Sequence, residues 1–328
     1  MTNQLTEVSS DALLEFYRTM LRIRQFEESV AELDEQGQIK TPCHYCIGQE
    51  APPTGVCAAL ERDDTIFGGH RSHGHYLAKG GDLRTLMAEI FCRASGCSSG
   101  RGGSMHISAP ECGVLGTVPI VAATIPLSVG AGLAAKLIGR ERVAVSFFGD
   151  GATEEGHFHE SVNLAGVHDL PVIFVCENNL YSSHMGIFER RREDNITQSA
   201  AAHGIPGVRV DGNDVVAVYQ AAVDAVQRAR QGGGPTLLEC QTFRWRGHVG
   251  PAWDMDVGVK RKDELKSWLS KDPLLRCFGD LIRHGVAKAT LEAVRLDVEC
   301  EVAEAIQFAK RSPHPETNVL ARHVYRAA

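Results

Sequence analysis

The spacing of apolar residues near the start of the chain predicts a long amphipathic helix. Apolar side chains recur at steps of three and four residues between positions 13 and 30, which places them on one face of an α-helix. Ser10 can cap this helix and Gly37 can end it. We therefore expect a packing helix over residues 10–36, whose apolar face consists of Leu13, Phe16, Tyr17, Met20, Ile23, Phe26 and Val30.

Further along the chain, short apolar runs alternate with helical patterns. The run VAVSFFGDG precedes the helical segment EEGHFHESVNLAGVH and a second run, LPVIFVCENN. The same order returns as the strand pattern GVRVDG, a helix over residues 214–231 and the strand pattern TLLECQTF. This order predicts parallel strands joined by right-handed crossovers. We expect an α/β fold with a mostly parallel sheet, helices on both faces and a helical C-terminal tail over about residues 260–328.

Two segments rich in small residues interrupt this pattern. GCSSGRGGSMHIS follows a helical stretch over residues 82–94, and its glycines either let the backbone approach a ligand or form a mobile surface loop. PLSVGAGLAAKLIG, which begins at Pro126, predicts a buried helix whose small residues permit close contact with another helix, including its symmetry mate.

A carboxylate and an amide fall at the ends of two neighbouring predicted strands, at Asp150 and Asn179. Ligands of open parallel sheets bind outside the carboxyl ends of the strands. Two such oxygens can share one Mg²⁺, with a main-chain carbonyl as a third ligand. Gly149 and Gly151 leave room for a diphosphate, and the amides of Gly151 and Ala152 open the next helix, where anions are favoured. The spacing therefore predicts a metal and diphosphate site.

Composition and charge exclude several classes of protein. The chain has 328 residues, 43% of them hydrophobic, and a net charge of -7, so it can bury a large core and offers no extended basic surface for nucleic acid or anionic lipid. The short basic runs at Arg190–Arg192 and Lys260–Lys262 are expected to face solvent or a partner. No segment reads as a signal sequence or a membrane span.

The cysteines favour a reducing compartment. Ten of them are scattered along the chain without the density of a small secreted scaffold, so we expect free thiols and a cytoplasmic location. Cys43 and Cys46 form a CxxC pair around His44, but no second CxxC or spaced histidine pair completes a zinc site. We expect two packed thiols beside a functional histidine.

The segment GDGATEEGHFHESVNLAGVHDLPVIFVCENN resembles, without a gap, the cofactor motif of the α subunits of pyruvate, branched-chain 2-oxo acid and acetoin dehydrogenases, which use thiamine diphosphate. CHYCIGQEA, HRSHGHYLAKG, GCSSGRGGSMH, TIPLSVGAGLAAK, HGIPGVRVDGNDV and FRWRGHVG match the same family in order. The resemblance covers nearly the whole chain. It implies a single thiamine-diphosphate-binding domain of the diphosphate-binding type over residues 1–328.

The resemblance also implies roles for individual residues. Asp150, Asn179 and the carbonyl of Tyr181 correspond to the family's Mg²⁺ ligands. Arg71 corresponds to an arginine that contacts the diphosphate, and His70 replaces the tyrosine that usually precedes it.

Three histidines are implied to act near the reacting groups. His248 matches a histidine near the diphosphate and the mouth of the site, and His44 matches one that faces the substrate. His106 in GGSMH is a further candidate for proton transfer near neutral pH. The remaining histidines of these segments, His73, His75, His157 and His159, are expected to pack locally.

A partner chain is implied as well. In the family, the glutamate that activates the aminopyrimidine ring comes from a β subunit in an α₂β₂ assembly, and nothing after residue 250 here resembles a second, pyrimidine-binding domain. The expected activity is decarboxylation of a 2-oxo acid, followed by acyl transfer to a lipoyl carrier protein (E2). The chain alone should bind the cofactor weakly.

The sequence departs from the family beside the aminopyrimidine. Relatives read GIVGAQVP where this chain reads PIVAATIP. Pro119 therefore replaces the glycine whose carbonyl contacts the ring, while Val121 matches the valine whose amide does so. A proline keeps the carbonyl, but we expect its fixed φ to shift the loop and, with it, the choice of substrate.

A second departure follows His248, where the family's SMSDP becomes VGPAWDMDVG over residues 249–258. Val249 cannot be phosphorylated, unlike the serine of mitochondrial relatives. Trp253, Asp254 and Asp256 either recognise a different substrate or partner, or are exposed loop residues without a catalytic task.

Two other functions fit part of the pattern. The diphosphate-binding half of a split transketolase-like or acyloin-forming enzyme would also carry GDG and NN segments. A regulatory paralogue without catalysis would be expected to lose the metal ligands or the histidines, and this chain keeps Asp150, Asn179, His44 and His248.

Overall fold

The long N-terminal helix forms nearly where the apolar spacing predicts it. The structure is a computed structural model that describes residues 8–253 and 261–319. Helix α1 spans Ser10–Glu35 and buries the predicted apolar face. Its cap is Ser9 rather than Ser10, because Ser9 is extended and its Oγ accepts the amide of Ala12 at 3.2 Å. Gly37 follows the helix with a φ of 70°, a conformation that glycine adopts without strain.

A parallel sheet forms the centre of the molecule. Its six strands are all paired in parallel, in the order β2-β1-β3-β4-β8-β7. A separate two-stranded hairpin, β5 with β6, follows β4. The strands are β1 (Thr65–Gly68), β2 (Val114–Thr117), β3 (Ala144–Gly149), β4 (Val172–Asn178), β5 (Tyr181–Ser182), β6 (Met185–Gly186), β7 (Gly207–Asp211) and β8 (Thr236–Gln241).

Helices connect and cover these strands. The helices after α1 are α2 (Ala51–Ala58), α3 (His73–Ala78), α4 (Leu83–Ile90), α5 (Thr124–Leu137), α6 (Gly156–Val167), α7 (Ile187–Arg190), α8 (Thr197–Ala202), α9 (Val215–Arg230), α10 (Lys262–Leu269), α11 (Pro273–Arg283) and α12 (Lys288–Arg311). Helix α4 ends at Ile90, before the predicted end at Ala94. Two residues later, Cys92 takes a positive φ of 53°, which a helix does not allow.

The central strands alternate between two hydrophobic cores. In β3, Val145 and Phe147 join the core that contains α1, α2, α4, α9 and the C-terminal helices, whereas Ala144 and Phe148 join the core that contains α5, α6 and α8. This two-residue alternation is what a sheet covered on both faces requires. The predicted parallel sheet with helices on both faces is confirmed.

The helix of small residues is half-buried, not buried as its composition predicts. Ile125 and Val129 of α5 pack in the second core, and a Cβ on Gly132 would come 2.6 Å from Val172. The opposite face is exposed, with Leu127 53% and Leu137 77% accessible. The small residues therefore bring only one face of α5 close to the sheet.

The predicted helical tail is confirmed as α10, α11 and α12. Helix α12 packs against α1 and α4, and α11 packs against α1. An ion pair between Arg22 and Glu301, 2.7 Å long, joins α1 to α12. In the described residues, no helix combines the length and apolarity that crossing a membrane requires.

Candidate functional site

The carboxyl ends of five parallel strands deliver most of the predicted site residues to one edge of the sheet. A cavity of about 190 Å³ lies at this edge, the position where open parallel sheets bind ligands. Its wall includes His70 and Arg71 after β1, Pro119 and Val121 after β2, Gly149, Gly151 and Ala152 at and after β3, Asn179 and Tyr181 after β4, His248 after β8, and His44 from the loop before α2.

Asp150 is a buried carboxylate directly after β3. It is 1% exposed, and its Oδ2 pairs with the guanidinium of Arg190. Its other oxygen, Oδ1, is buried without a hydrogen-bond partner among the described residues. Burial raises the pKa of this carboxyl, and Arg190 opposes the shift. An unsatisfied buried carboxylate oxygen is costly unless another group binds it.

Asn179 has its side-chain amide fixed from two sides. Its Nδ2 donates to Oε1 of Gln49 at 3.1 Å, and its Oδ1 accepts the amide of Tyr181 at 3.2 Å. Gly149 pairs with Glu177 in the sheet, so Asp150 and Asn179 leave neighbouring strands at the same edge. Gln49, which the sequence did not single out, therefore orients the amide beside Asp150.

The segment after Asp150 is a short 3₁₀ turn, Asp150–Glu154, rather than the first turn of an α-helix. Helix α6 begins only at Gly156, which corrects the prediction that Gly151 and Ala152 open that helix. A Cβ on Gly151 would come 2.8 Å from the Cβ of Ser182, so the β5 strand packs directly on this turn. Gly151 thus brings the Tyr181 strand close to Asp150.

Three histidines cluster at one side of the cavity. The ring centroids of His44 and His70 are 4.6 Å apart, and those of His44 and His248 are 5.1 Å apart. Nδ1 of His44 is buried without a hydrogen-bond partner in the part of the chain that the structure describes. Burial and the nearby charge of Arg71 lower the pKa of His44 to about 3 and that of His70 to about 2. Both imidazoles are therefore neutral near pH 7.

The charge around these histidines favours an anion. Their ligand nitrogens lie within 4.8 Å of one another, which is a spacing that a metal ion could bridge. However, the guanidinium of Arg71 is buried beside them and donates to the carbonyls of Tyr45, at 2.6 Å, and His248, at 3.3 Å. A fixed guanidinium repels a dication and attracts phosphate oxygens. The histidine cluster is thus suited to bind an anionic group.

The structure adds His75 and Glu177 to the cavity wall. His75 stacks on Phe147 with ring centroids 4.1 Å apart, and its Nε2 lies 3.1 Å from Oε2 of Glu177. Oε1 of Glu177 is buried without a partner in the described ranges. The sequence predicted only local packing for His75, because nothing in the HGH segment indicates that it meets a residue 102 positions away.

Four further histidines that the sequence analysis names are not part of the cavity wall. His106, a predicted proton-transfer residue, is exposed and is not part of the cavity wall. His73 is buried against Ser104, with Nε2 and Oγ 2.8 Å apart, while His157 and His159 are exposed on α6. His73 therefore packs locally as predicted, whereas His157 and His159 are exposed on α6.

The glycine-rich loop before His106 is organised by an internal carboxylate. Glu89 is fully buried, and its two oxygens accept the amides of Ser98, Gly100, Gly102 and Gly103 at 2.7–3.1 Å. These glycines therefore approach a side chain of the same protein. The sequence analysis offered two interpretations of this loop, close approach to a ligand or a mobile surface loop. Neither of them included an internal carboxylate.

The CxxC pair consists of two packed thiols. Cys43 and Cys46 are buried and free, and Cys46 Sγ lies 3.0 Å from Oε1 of Glu27.

In the altered segment after His248, the guanidinium of Arg246 lies over the ring of Trp253, 4.7 Å from its centroid. Asp254 and Asp256 lie outside the described residues.

Comparison with known proteins identifies the family. Residues 17–318 match the family described as dehydrogenase E1 component. The chain is 42% identical to the α subunit of acetoin:2,6-dichlorophenolindophenol oxidoreductase of Bacillus subtilis strain 168. The similarity extends over 319 residues, which are 97% of this chain and 95% of the relative. It is 39% identical over 316 residues to the pyruvate dehydrogenase E1 component subunit alpha of Zymomonas mobilis, covering 96% and 88%.

These matches define the class first: the protein is an oxidoreductase subunit of the α type. More closely, the chain belongs to the dehydrogenase E1 component family, and this family implies thiamine diphosphate as the cofactor. The relative from Cupriavidus necator, 40% identical over 97% of this chain and 95% of its own length, carries the same name as the Bacillus protein.

Proposed function

We propose that this chain is the α subunit of a thiamine-diphosphate- and Mg²⁺-dependent enzyme that decarboxylates a 2-oxo acid and passes the acyl group to a lipoyl carrier or another acceptor. The observation that carries the proposal is the buried Oδ1 of Asp150, which has no partner among the described residues and lies at the carboxyl edge of a parallel sheet. Family membership supports the same cofactor.

The residues present fit a metal and a diphosphate. Asp150, Asn179 and the carbonyl of Tyr181 offer the oxygen ligands that Mg²⁺ prefers. A Cβ on Gly149 would meet nothing within 4 Å, so the cavity beside it has room for a diphosphate group. Arg71 would supply charged hydrogen bonds to that group.

His70 and His248, which line the same cavity, would also contact the diphosphate. His44 and His248 would face the substrate, where an imidazole can donate or accept a proton. Thiamine diphosphate, when bound, supplies the nucleophile and the electron sink for decarboxylation. His106 stays a prediction, and its exposed position leaves a role in the assembled enzyme to be tested.

The rim of the cavity supports the presence of a partner chain. Ile120 and Val121 of the cavity wall are 69% and 50% exposed, and Leu127, on the helix α5 that follows them, is 53% exposed. An apolar rim at the mouth of a polar cavity is typical of a surface that another chain covers. We propose a β-type subunit there, in an α₂β₂ assembly, which would place its glutamate on the aminopyrimidine while Pro119 and Val121 offer a carbonyl and an amide. A lipoyl protein would act as a further partner.

The thiols are consistent with the compartment that we predict. All ten cysteines are free, and seven of them are buried. Free thiols are maintained in reducing compartments, which supports a cytoplasmic location as part of the proposal.

A second candidate substrate is an acyloin such as acetoin. It is favoured by the names of the relatives from Bacillus subtilis and Cupriavidus necator, both acetoin:2,6-dichlorophenolindophenol oxidoreductase subunits. Cleavage of an acyloin and decarboxylation of a 2-oxo acid both leave a fragment at the aldehyde oxidation level, which a two-electron acceptor such as 2,6-dichlorophenolindophenol would oxidise to the acyl level. The same assembly and the same residues would serve either substrate.

The test is reconstitution. The chain should be purified alone and together with a β-type subunit, and both samples should be supplied with thiamine diphosphate, Mg²⁺ and 2,6-dichlorophenolindophenol. Bleaching of the dye with pyruvate, branched-chain 2-oxo acids or acetoin should require both chains, and the substrate that gives the largest kcat/KM identifies the reaction.

Full turnover by the chain alone would contradict the need for a partner. Activity confined to ketol transfer between sugar phosphates would favour the split transketolase-like alternative. Binding of thiamine diphosphate without turnover of any substrate by the assembly would instead indicate a regulatory paralogue.

A further inference from the structure

Part of the basic run Arg190–Arg192 lies beside the metal site that we propose, whereas the sequence predicts that the run faces solvent or a partner. The side chain of Arg190 is 6% exposed and that of Arg191 is 17% exposed, whereas Arg192 is exposed. Arg190 ends α7, which follows the β5–β6 hairpin that carries Tyr181. Two adjacent arginines are thus directed inward and the third outward.

Arg190 connects three parts of the site. One of its terminal nitrogens pairs with Oδ2 of Asp150, and the other pairs with Oε1 of Glu154, so a single guanidinium spans both ends of the 3₁₀ turn. Its Nε donates to the carbonyl of Met185 in β6 at 3.3 Å. A planar guanidinium with several fixed donors can hold these acceptors in one relative orientation.

Arg191 holds the middle of the same turn. Its guanidinium donates to Oγ1 of Thr153 at 2.8 Å and to the carbonyl of Thr153 at 3.3 Å. The hydroxyl of Thr153 in turn donates to the carbonyl of Asp150 at 2.6 Å. Arg191 therefore reaches Asp150 through its main chain, while Arg190 reaches it through its side chain.

These contacts leave one oxygen of Asp150 for a ligand. Arg190 occupies Oδ2, and Oδ1 is the buried oxygen without a partner among the described residues. We propose that Arg190 and Arg191 form an arginine clamp that positions Asp150, so that Oδ1 and the adjacent Tyr181 strand are presented to the divalent cation. This inference rests on the metal assignment made under the proposed function.

Charge and orientation predict opposite effects for this clamp. A guanidinium near a bound dication repels it, so an arginine that acted only through its charge would weaken metal binding. Residues that orient metal ligands strengthen binding, and their loss weakens it by about 10- to 100-fold. The clamp contacts buried acceptors in defined directions, so we expect orientation to dominate.

The experiment measures the affinity for Mn²⁺, used in place of Mg²⁺, by electron paramagnetic resonance of the free ion. The chain is assembled with its β-type partner and saturated with thiamine diphosphate. Arg190→Met should raise the Kd for Mn²⁺ by about 10- to 100-fold, and Arg191→Met should raise it less, because its contact with Asp150 is indirect. Arg190→Lys keeps the charge and part of the contact, so it should restore part of the affinity.

Arg192→Met is the matched control, because Arg192 belongs to the same run but is exposed. The Kd of this variant for Mn²⁺ should equal that of the wild type. Unchanged or tighter Mn²⁺ binding by both Arg190→Met and Arg191→Met would overturn the clamp. If the wild-type assembly bound no Mn²⁺, the metal assignment and the clamp would both be wrong. Thermal unfolding measured without Mn²⁺ separates a loss of affinity from a loss of fold, and Arg191→Met serves as the test if Arg190→Met does not fold.

Discussion

Two glycine-rich segments of this chain surround a buried carboxylate, and they differ in how that carboxylate is satisfied. In residues 96–104, both oxygens of Glu89 accept backbone amides. In residues 149–152, Asp150 pairs with Arg190 through one oxygen, while the other has no partner among the described residues. Glycine density occurs in both segments, so it does not by itself indicate a ligand. The unsatisfied oxygen is what distinguishes a binding segment from a structural one.

The glycines themselves differ in the same way. A Cβ on Gly96 would come 2.7 Å from Cα of Glu89, so the backbone of Glu89 leaves no room for a side chain at this position. A Cβ on Gly149 would meet nothing within 4 Å. The space beside Gly96 is filled by the protein, whereas the space beside Gly149 is open to the cavity. Substitutions in the two segments should therefore affect different properties.

The largest expected effect is on cofactor binding by Asp150→Ala. Outer-shell substitutions weaken metal binding by about 10- to 100-fold, so loss of the charged ligand itself should weaken Mg²⁺-dependent thiamine diphosphate binding by at least about 100-fold. The affinity is measured by isothermal titration calorimetry on the assembled enzyme at saturating Mg²⁺.

Asp150→Asn keeps a neutral oxygen ligand and should fall between the wild type and Asp150→Ala. Thermal unfolding of the variants without cofactor shows whether the fold is retained. Cofactor binding at the wild-type level by a folded Asp150→Ala protein would mean that the GDG-to-NN motif has been misinterpreted.

The next effect is on stability, from Glu89→Gln. The new amide would direct two N–H groups at backbone amides that now donate to a carboxylate oxygen, so two charged hydrogen bonds would be lost. Because each such bond contributes about 1.5–3 kcal/mol, we expect the free energy of unfolding to fall by about 3–6 kcal/mol. Urea denaturation of the full chain measures this change.

The matched control is Glu292→Gln, the same substitution at a glutamate exposed on α12. It should change stability by no more than about 0.5 kcal/mol. If Glu89→Gln cost no more than this control, the glycine-rich loop would not depend on its carboxylate, and the contrast between the two segments would not hold.

The sequence predicts which residues lie at the carboxyl edge of the sheet, because the apolar runs that mark the strand ends can each be recognised within a few residues. The apolar runs that form β3 and β4 end at Gly149 and Asn178, and the parallel order of the strands brings Asp150 and Asn179 to the same edge. The histidine cluster follows from matches to family segments, and the structure brings together His44, His70 and His248 although they are far apart in the chain.

What the sequence does not predict depends on pairs of distant positions. Arg190 reads as part of an exposed basic run because its partner Asp150 lies 40 residues earlier. Gln49 meets Asn179 across 130 residues, and neither residue type signals that contact. The exposed face of α5 has a related cause: its apolar residues predict burial, but among the described residues only one face of the helix packs on the core.

The smallest expected effects come from matched glycine substitutions, which test the contrast most directly. Gly96→Ala places a methyl group against the backbone of Glu89 and should cost about 1–3 kcal/mol of stability. Gly149 has a φ of -82°, which alanine adopts without strain, so Gly149→Ala should stabilise the fold by about 0.4–1 kcal/mol. The same methyl group enters the cavity beside Asp150 and should weaken thiamine diphosphate binding about tenfold, equal to about 1.4 kcal/mol. Urea denaturation and calorimetric titration of both variants separate the two effects. A stability loss for Gly149→Ala as large as that for Gly96→Ala would show that both segments are structural, and the diphosphate would have to bind elsewhere.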